Sequence, residues 1–213
     1  MYVPAHFRED DPATLAALMQ AHSFALLVTA DADGVPFATH QPLIYERAGG
    51  SNGRLLGHVA RANPQWQHFA SGKPALAIFQ GPHAYISPRW YEVRPAVPTW
   101  NYAAVHAYGA PRIIEDATQV RTLLERLASI YESDQPKPWS LAEEPEPFLA
   151  GMQRGIVAFE IPIERLEGKW KMSQNRKLQD REGAIAGLRS AGGAENQAAA
   201  DVMARLLRAD RAG

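Results

Sequence analysis

Short apolar-rich runs, each closed by a glycine or proline turn, fill the first half of this chain and confine it to a sheet-rich architecture. FALLVTA over 24–30, the turn DADG and VPFATHQPLIYE over 35–46 predict a hairpin of two strands. AGGSNG is the next turn, and LLGHVA over 55–60 is a third strand. It runs into ARANPQWQHFA, where Asn63 can cap a helix that opens on Pro64. After SGKP come two further short strands, ALAIFQ and HAYIS, and then a proline-punctuated loop, SPRWYEVRPAVP, that delivers the long segment TWNYAAVHAYGAPRIIE. GIVAFEI over 155–161 is a last strand. Six or seven short strands with helices at the ends predict a mainly β protein with flanking helices, a closed or split antiparallel barrel; a doubly wound sheet would need more regular alternation with helices.

The helical segments are few. Asp11 and Pro12 form an N-cap and first turn, with Leu15, Leu18 and Met19 on one face and an end near His22. Asp116 with Gln119 begins a second helix, in which Val120, Leu123, Leu124, Leu127 and Ile130 recur at helical spacing through about Tyr131. ESDQPKPWSLAEEPEP is proline-rich and acidic and reads as an ordered surface connection. From about Gly183 the chain is alanine-rich, which predicts a helix frayed at its end. With 213 residues, the expected organisation is one barrel domain with its flanking helices over 1–190 and an alanine-rich helical tail over 191–213.

Composition removes several kinds of chemistry. The chain has no cysteine, so disulfides, thiolate zinc sites, iron–sulfur clusters and cysteine nucleophiles are excluded. The start, MYVPAHFREDDP, lacks the apolar core of a signal peptide, and no later stretch approaches the roughly 18 apolar residues of a membrane span. A cytoplasmic protein without membrane contact is expected. A net charge of -1 gives no general attraction for nucleic acid, so a DNA contact would need a local basic patch. The only compact one is KWKMSQNRK over 169–177.

Three segments can carry chemistry. In HAYISPRWY and VPTWNYAAVH, His83, Tyr85, Trp90, Tyr91, Trp100, Tyr102 and His106 crowd together, which suits either core filling or a ligand platform. Strand alternation puts Trp100 and Tyr102 on one face and Thr99 and Asn101 on the other, so polar groups in mid-strand need a partner. A planar heteroaromatic ring with hydrogen-bonding edges, such as a flavin, satisfies both faces. The seven histidines show neither HxH nor HExxH spacing, so no metal site is assigned. In GHVARANPQW, a strand ending at Arg61 and a helix opening after Asn63 make either an anion site or an ordinary capped helix. In GKWKMSQNRKLQDR, Lys169, Lys171, Arg176 and Lys177 bracket Ser-Gln-Asn, which is either a solvated loop or a second phosphate or partner loop.

MYVPAHF, GPHAYISPRWY, VPTWNYAAVH and KWKMSQNR, in this order over residues 1–189, resemble the PaiB-type FMN-binding negative transcriptional regulators. The departures are small: Met172 replaces a usual leucine, and the tail after Ser190 is not covered. The resemblance implies a split β-barrel of the pyridoxine-phosphate oxidase and flavin reductase type, and a homodimer with FMN at its interface. It also implies that the strand Thr39, His40 and Gln41 and the junction from His58 to Asn63 lie near the cofactor, with Arg61 and Asn63 for its phosphate. Thr99 and Asn101 would address the ring, Trp90, Tyr91, Trp100 and Tyr102 would form walls, and Ser173, Gln174, Asn175 and Arg176 would close the site. As to function, it implies a negative regulator of transcription, one that senses flavin and acts indirectly, since neither charge nor a helix-turn-helix supports direct DNA binding. A flavin-dependent oxidoreductase or flavin reductase is the alternative, and a haem-binding barrel a second one, because related barrels support such chemistry. No catalytic residue stands out, His40 and His106 being the nearest candidates for proton transfer.

Overall fold

The computed structural model describes residues 1–48 and 51–212. It divides into two compact units, one formed by Met1–Leu18, Gln80–His106 and Glu167–Gly213 and the other by Met19–Phe79 and Ala107–Leu166. In chain order the elements are β1 (Arg8–Glu9), α1 (Pro12–Ala21), β2 (Phe24–Ala30), β3 (Pro36–Pro42), β4 (Ile44–Glu46), β5 (Arg54–Ala60), β6 (Ala75–Ile86) and β7 (Thr99–Gly109). There follow β8 (Arg112–Ile113), α2 (Ala117–Glu132), α3 (Glu146–Arg154), β9 (Ile156–Pro162), β10 (Arg165–Lys171), α4 (Leu178–Ala191) and α5 (Ala194–Ala212). The protein is mainly β with flanking helices, and its recorded strand pairs are antiparallel.

In the first unit the strands run in the order β1-β10-β7-β6. Asp11 caps α1 by accepting a hydrogen bond from the Thr14 amide at 2.8 Å, and Leu15 and Leu18 are buried. Both helix residues sit against glycines that leave them room. A Cβ on Gly168 would lie 2.3 Å from Leu15, and one on Gly81 would lie 2.8 Å from Leu18. Gly81 and Pro82 were expected to separate two strands, yet β6 is continuous through them. Here glycine marks a close approach by a helix and not a chain reversal. Gly183 and Gly187 of α4 likewise admit Trp90, whose indole would be 2.3 Å from a Cβ at Gly187. The alanine-rich segment is two helices, and α5 buries Ala199, Ala200, Met203 and Leu207.

In the second unit β2 pairs along its whole length with β3, and Leu26, Leu27 and Val28 pair with the start of β6. A second sheet runs β4-β5-β9-β8. The stretch VPFATHQPLIYE therefore supplies two strands to two different sheets, divided at fully buried Leu43. Of the expected AGGSNG turn, Gly49 and Gly50 lie outside the described residues, while Gly53 takes φ 79°, a left-handed conformation suited to glycine. Val120, Leu123 and Leu127 of α2 pack on Ile44, Leu56 and Ala158 as one apolar cluster. Asp116 caps this helix through the Gln119 amide at 2.8 Å. Glu46 accepts from Arg54 at 2.6 Å and also from Arg126 of α2, so the helix is tied to the sheet by charge as well. The connection 133–145 is ordered and leads into α3, a helix the proline-rich sequence did not suggest.

Candidate functional site

In the first unit the polar residues of TWNY meet the end of β10. Asn101 is 1 % exposed and donates to the Ser173 hydroxyl at 2.9 Å, with Met203 Sδ 3.3 Å away. Lys171 donates to Thr99 Oγ1 at 2.6 Å and to the Trp100 carbonyl. GKWK, read as part of a loop, is strand, which is why Lys171, expected in a solvated loop or a phosphate or partner loop, faces Thr99 across the sheet. The run after it folds back tightly. Ser173 takes φ 64°, rare for a residue with a side chain, and its carbonyl accepts from the Arg176 amide at 2.9 Å. Gln174 serves this turn, accepting from the Met172 amide at 2.7 Å and donating to the Trp170 carbonyl at 2.6 Å.

Thr99, Asn101, Lys171 and Ser173 line a small cavity of about 170 Å³, together with Phe7, Tyr91, Val97, Pro98, Asn175 and Arg176. The Arg176 guanidinium lies 4.6 Å from the Tyr91 ring centre. Tyr91 is buried, and its hydroxyl has no hydrogen-bond partner among the described residues. Burial, and secondarily the charge of Lys169, hold the Lys171 ammonium below its ordinary pKa. Lys169 is itself 7 % exposed, donating to the Tyr2 carbonyl at 2.9 Å and lying 5.2 Å from the Tyr102 ring. Among the described residues no carboxylate pairs with Lys169, Lys171 or Arg176. A pocket bordered by cations without counter-charge is suited to an anion.

The aromatic residues separate by face. Trp100 stands 55 % exposed on the side of β7 opposite Asn101, with the His83 and Tyr85 rings 6.2 and 6.1 Å away. Trp90 is taken up by packing on Gly183 and Gly187.

In the second unit Thr39 and Asn63 meet: Asn63 donates to Thr39 Oγ1 at 3.0 Å and caps the following 3-10 helix (Pro64–Ser71) by accepting from the Gln65 amide at 3.0 Å. His40 is exposed and stacks on Phe24, with ring centres 6.1 Å apart. Arg61 laces the end of β5 to the start of β9. Its Nε and Nη2 donate to the carbonyls of Arg154 and Ile156, both at 2.8 Å, and its amide donates to the Gly155 carbonyl. Gln65, fully buried, donates to the Leu27 and Phe37 carbonyls and holds the β2–β3 pair. Its place between two strands left no mark in the sequence. His58 does not join Thr39 and Asn63. It forms part of the wall of a larger cavity under α2 and α3, and burial pushes its pKa down.

Residues 1–165 match the family model described as "Putative FMN-binding domain". The chain is 37 % identical over 183 residues to "Protease synthase and sporulation protein PAI 2" of Bacillus subtilis, covering 84 % of this chain and 85 % of that protein. It is 33 % identical over 233 residues to an uncharacterized protein of Emericella nidulans, covering 90 % and 92 % of the two chains. Among solved structures it is similar to the flavocytochrome Anf3 from Azotobacter vinelandii, with a TM-score of 0.59 at 16 % identity over 79 % of this chain and 72 % of that one. That likeness concerns the fold, a split β-barrel. With the family model spanning most of the chain and the Bacillus relative matched over most of its length, the chain belongs to the PaiB-type family of FMN-binding split-barrel proteins.

Proposed function

We propose that the protein is a cytoplasmic homodimer that binds FMN and acts as a flavin-sensing negative regulator of transcription without reading DNA itself. The observation that carries the cofactor part is the cavity at Lys171 and Arg176. Two cations with no carboxylate partner and the amide of Asn175 suit a phosphate monoester, and a volume of about 170 Å³ admits one phosphate group but not a dinucleotide. The chain also lacks a glycine-rich pyrophosphate loop. When bound, FMN supplies a redox-active ring; the chain's own residues bind and orient it. Arg61 and Asn63 are the other candidates for the phosphate, but their polar groups are largely engaged by protein partners.

Dimerisation is supported by Tyr85 and Trp100, about half exposed beside the partly buried His83, and by Phe24, Tyr2 and Val97, which are more than two-thirds exposed. Indirect regulation is supported by the net charge of -1, which gives no electrostatic basis for a DNA footprint. The flavin-loaded protein tests the reading in one preparation. A dimer by sedimentation at micromolar concentration, with DNA affinity that stays weak as salt is lowered and no turnover of NADH or NADPH, is the expected result. Steady nicotinamide oxidation would favour the oxidoreductase alternative, and a monomer that still binds FMN tightly would remove the dimer.

A further inference from the structure

The second unit holds a cavity of about 590 Å³ that the flavin proposal does not use. Its wall is built from α2, α3 and the connection between them: Leu124, Leu127, Ala128, Leu141, Leu149 and Met152 are all apolar. His58 of β5 forms part of it too. Three aromatic side chains and a methionine line it while still facing water, Tyr131 at 47 % exposure, Trp139 at 40 %, Phe148 at 52 % and Met152 at 56 %. Large apolar side chains are rarely left grouped in this way at a concave surface unless something covers them.

The walls are held by specific bonds. The Trp139 amide donates to Glu132 Oε2 at 3.0 Å, and the Ser140 amide donates to Glu143 Oε1 at 3.0 Å within a capping box. Tyr131 shares a hydrogen bond with the Ser23 hydroxyl at 2.7 Å. A proline-rich stretch without apolar periodicity is thus ordered, and what its order creates is this cavity. The charged residues lining it are Glu132 and Glu144. His58 adds no positive charge, since burial favours its neutral form and its Nδ1 is sealed away without a partner among the described residues.

We propose that this cavity is a second small-molecule site, for a compact aromatic or aliphatic molecule that is uncharged or carries one positive charge. Size sets the upper limit, because pockets of roughly 300 to 1,000 Å³ take single drug-sized molecules. The carboxylates set the sign, since an anion would approach two like charges and meet no cation in the lining. The site shares no residue with the cavity at Lys171 and does not depend on the flavin reading being right.

The test uses the flavin-loaded protein and two fluorescent probes of similar ring system, neutral N-phenyl-1-naphthylamine and anionic 8-anilinonaphthalene-1-sulfonate. The neutral probe is expected to bind saturably, one per chain, with a blue shift, and about tenfold or more tighter than the sulfonate. Ala128→Trp, which fills the cavity, and Phe148→Asp, an exposed position whose change adds a third carboxylate, should each weaken it by about tenfold while FMN stays bound. Unsaturable binding, indifference to both substitutions, equal affinity for the sulfonate, or one-for-one displacement by FMN would overturn the proposal. If FMN itself fails to bind but the probe behaves as described, this site stands and the flavin reading falls.

Discussion

Lys171 is the residue on which the phosphate assignment turns, because its ammonium is half-buried, pushed below its ordinary pKa by burial and by Lys169, and without a carboxylate to balance it. A bound phosphate supplies that balance. Replacing it as Lys171→Met keeps the bulk and removes the charge, so FMN affinity should fall by the roughly 1.5–3 kcal/mol of a charged hydrogen bond, about 10- to 100-fold, with riboflavin affinity little changed. Fluorescence titration with both flavins checks this, and an equal loss for the two would mean that the lysine only shapes the strand. His58 gives a prediction of another kind. Its folded pKa lies below the unfolded value near 6.5 because burial disfavours the charge. The unfolded chain therefore takes up the proton first as pH falls, and stability present above about pH 6.5 is lost on acidification. Thermal unfolding at pH 7.5 and 5.5 should show a smaller acid-induced drop in His58→Leu than in the parent protein, and an unchanged drop would contradict the assignment.

At the scale of elements, glycines show how the same residue carries opposite meanings. Gly183 in α4 would place a Cβ 2.1 Å from the Trp90 carbonyl oxygen, a backbone atom that cannot swing aside. Gly183→Ala should therefore cost about 1–3 kcal/mol, the usual range for overpacking. Gly151 in α3 has only the Arg154 guanidinium near, at 3.7 Å. There alanine should stabilise by about 0.5–1 kcal/mol through helix propensity. Paired thermal melts check the opposite signs.

Much of this level was legible in the sequence. The caps at Asp11, Asn63 and Asp116, the helix through Val120, Leu123 and Leu127, and most strands follow from local hydrogen bonding and periodicity. What was not legible depends on distant partners. Gly81 and Pro82 read as a break because nothing local reveals that Leu18 will pack there. GKWK read as loop because two lysines on a strand face make sense only once Tyr2, Tyr102 and Thr99 are beside them. At the candidate site, alternation in TWNY did put Asn101 and Trp100 on opposite faces. It could not tell that Trp90 packs on glycines of a helix nearly a hundred residues later.

For the whole molecule, the proposed function includes a homodimer. Trp100→Glu would put a carboxylate among His83 and Tyr85 on the exposed aromatic face, and it should convert the dimer to monomer in sedimentation runs while leaving the fold intact by circular dichroism. A variant that stays dimeric would place the interface elsewhere. The central claim is that the chain grips FMN by its phosphate. Isothermal titration of flavin-free protein with FMN and riboflavin, side by side at the same ionic strength, tests it most directly. FMN should bind about 10- to 100-fold more tightly, as a charge-assisted phosphate contact requires, whereas equal affinities would contradict the account by showing that the cationic cavity contributes nothing to holding the cofactor.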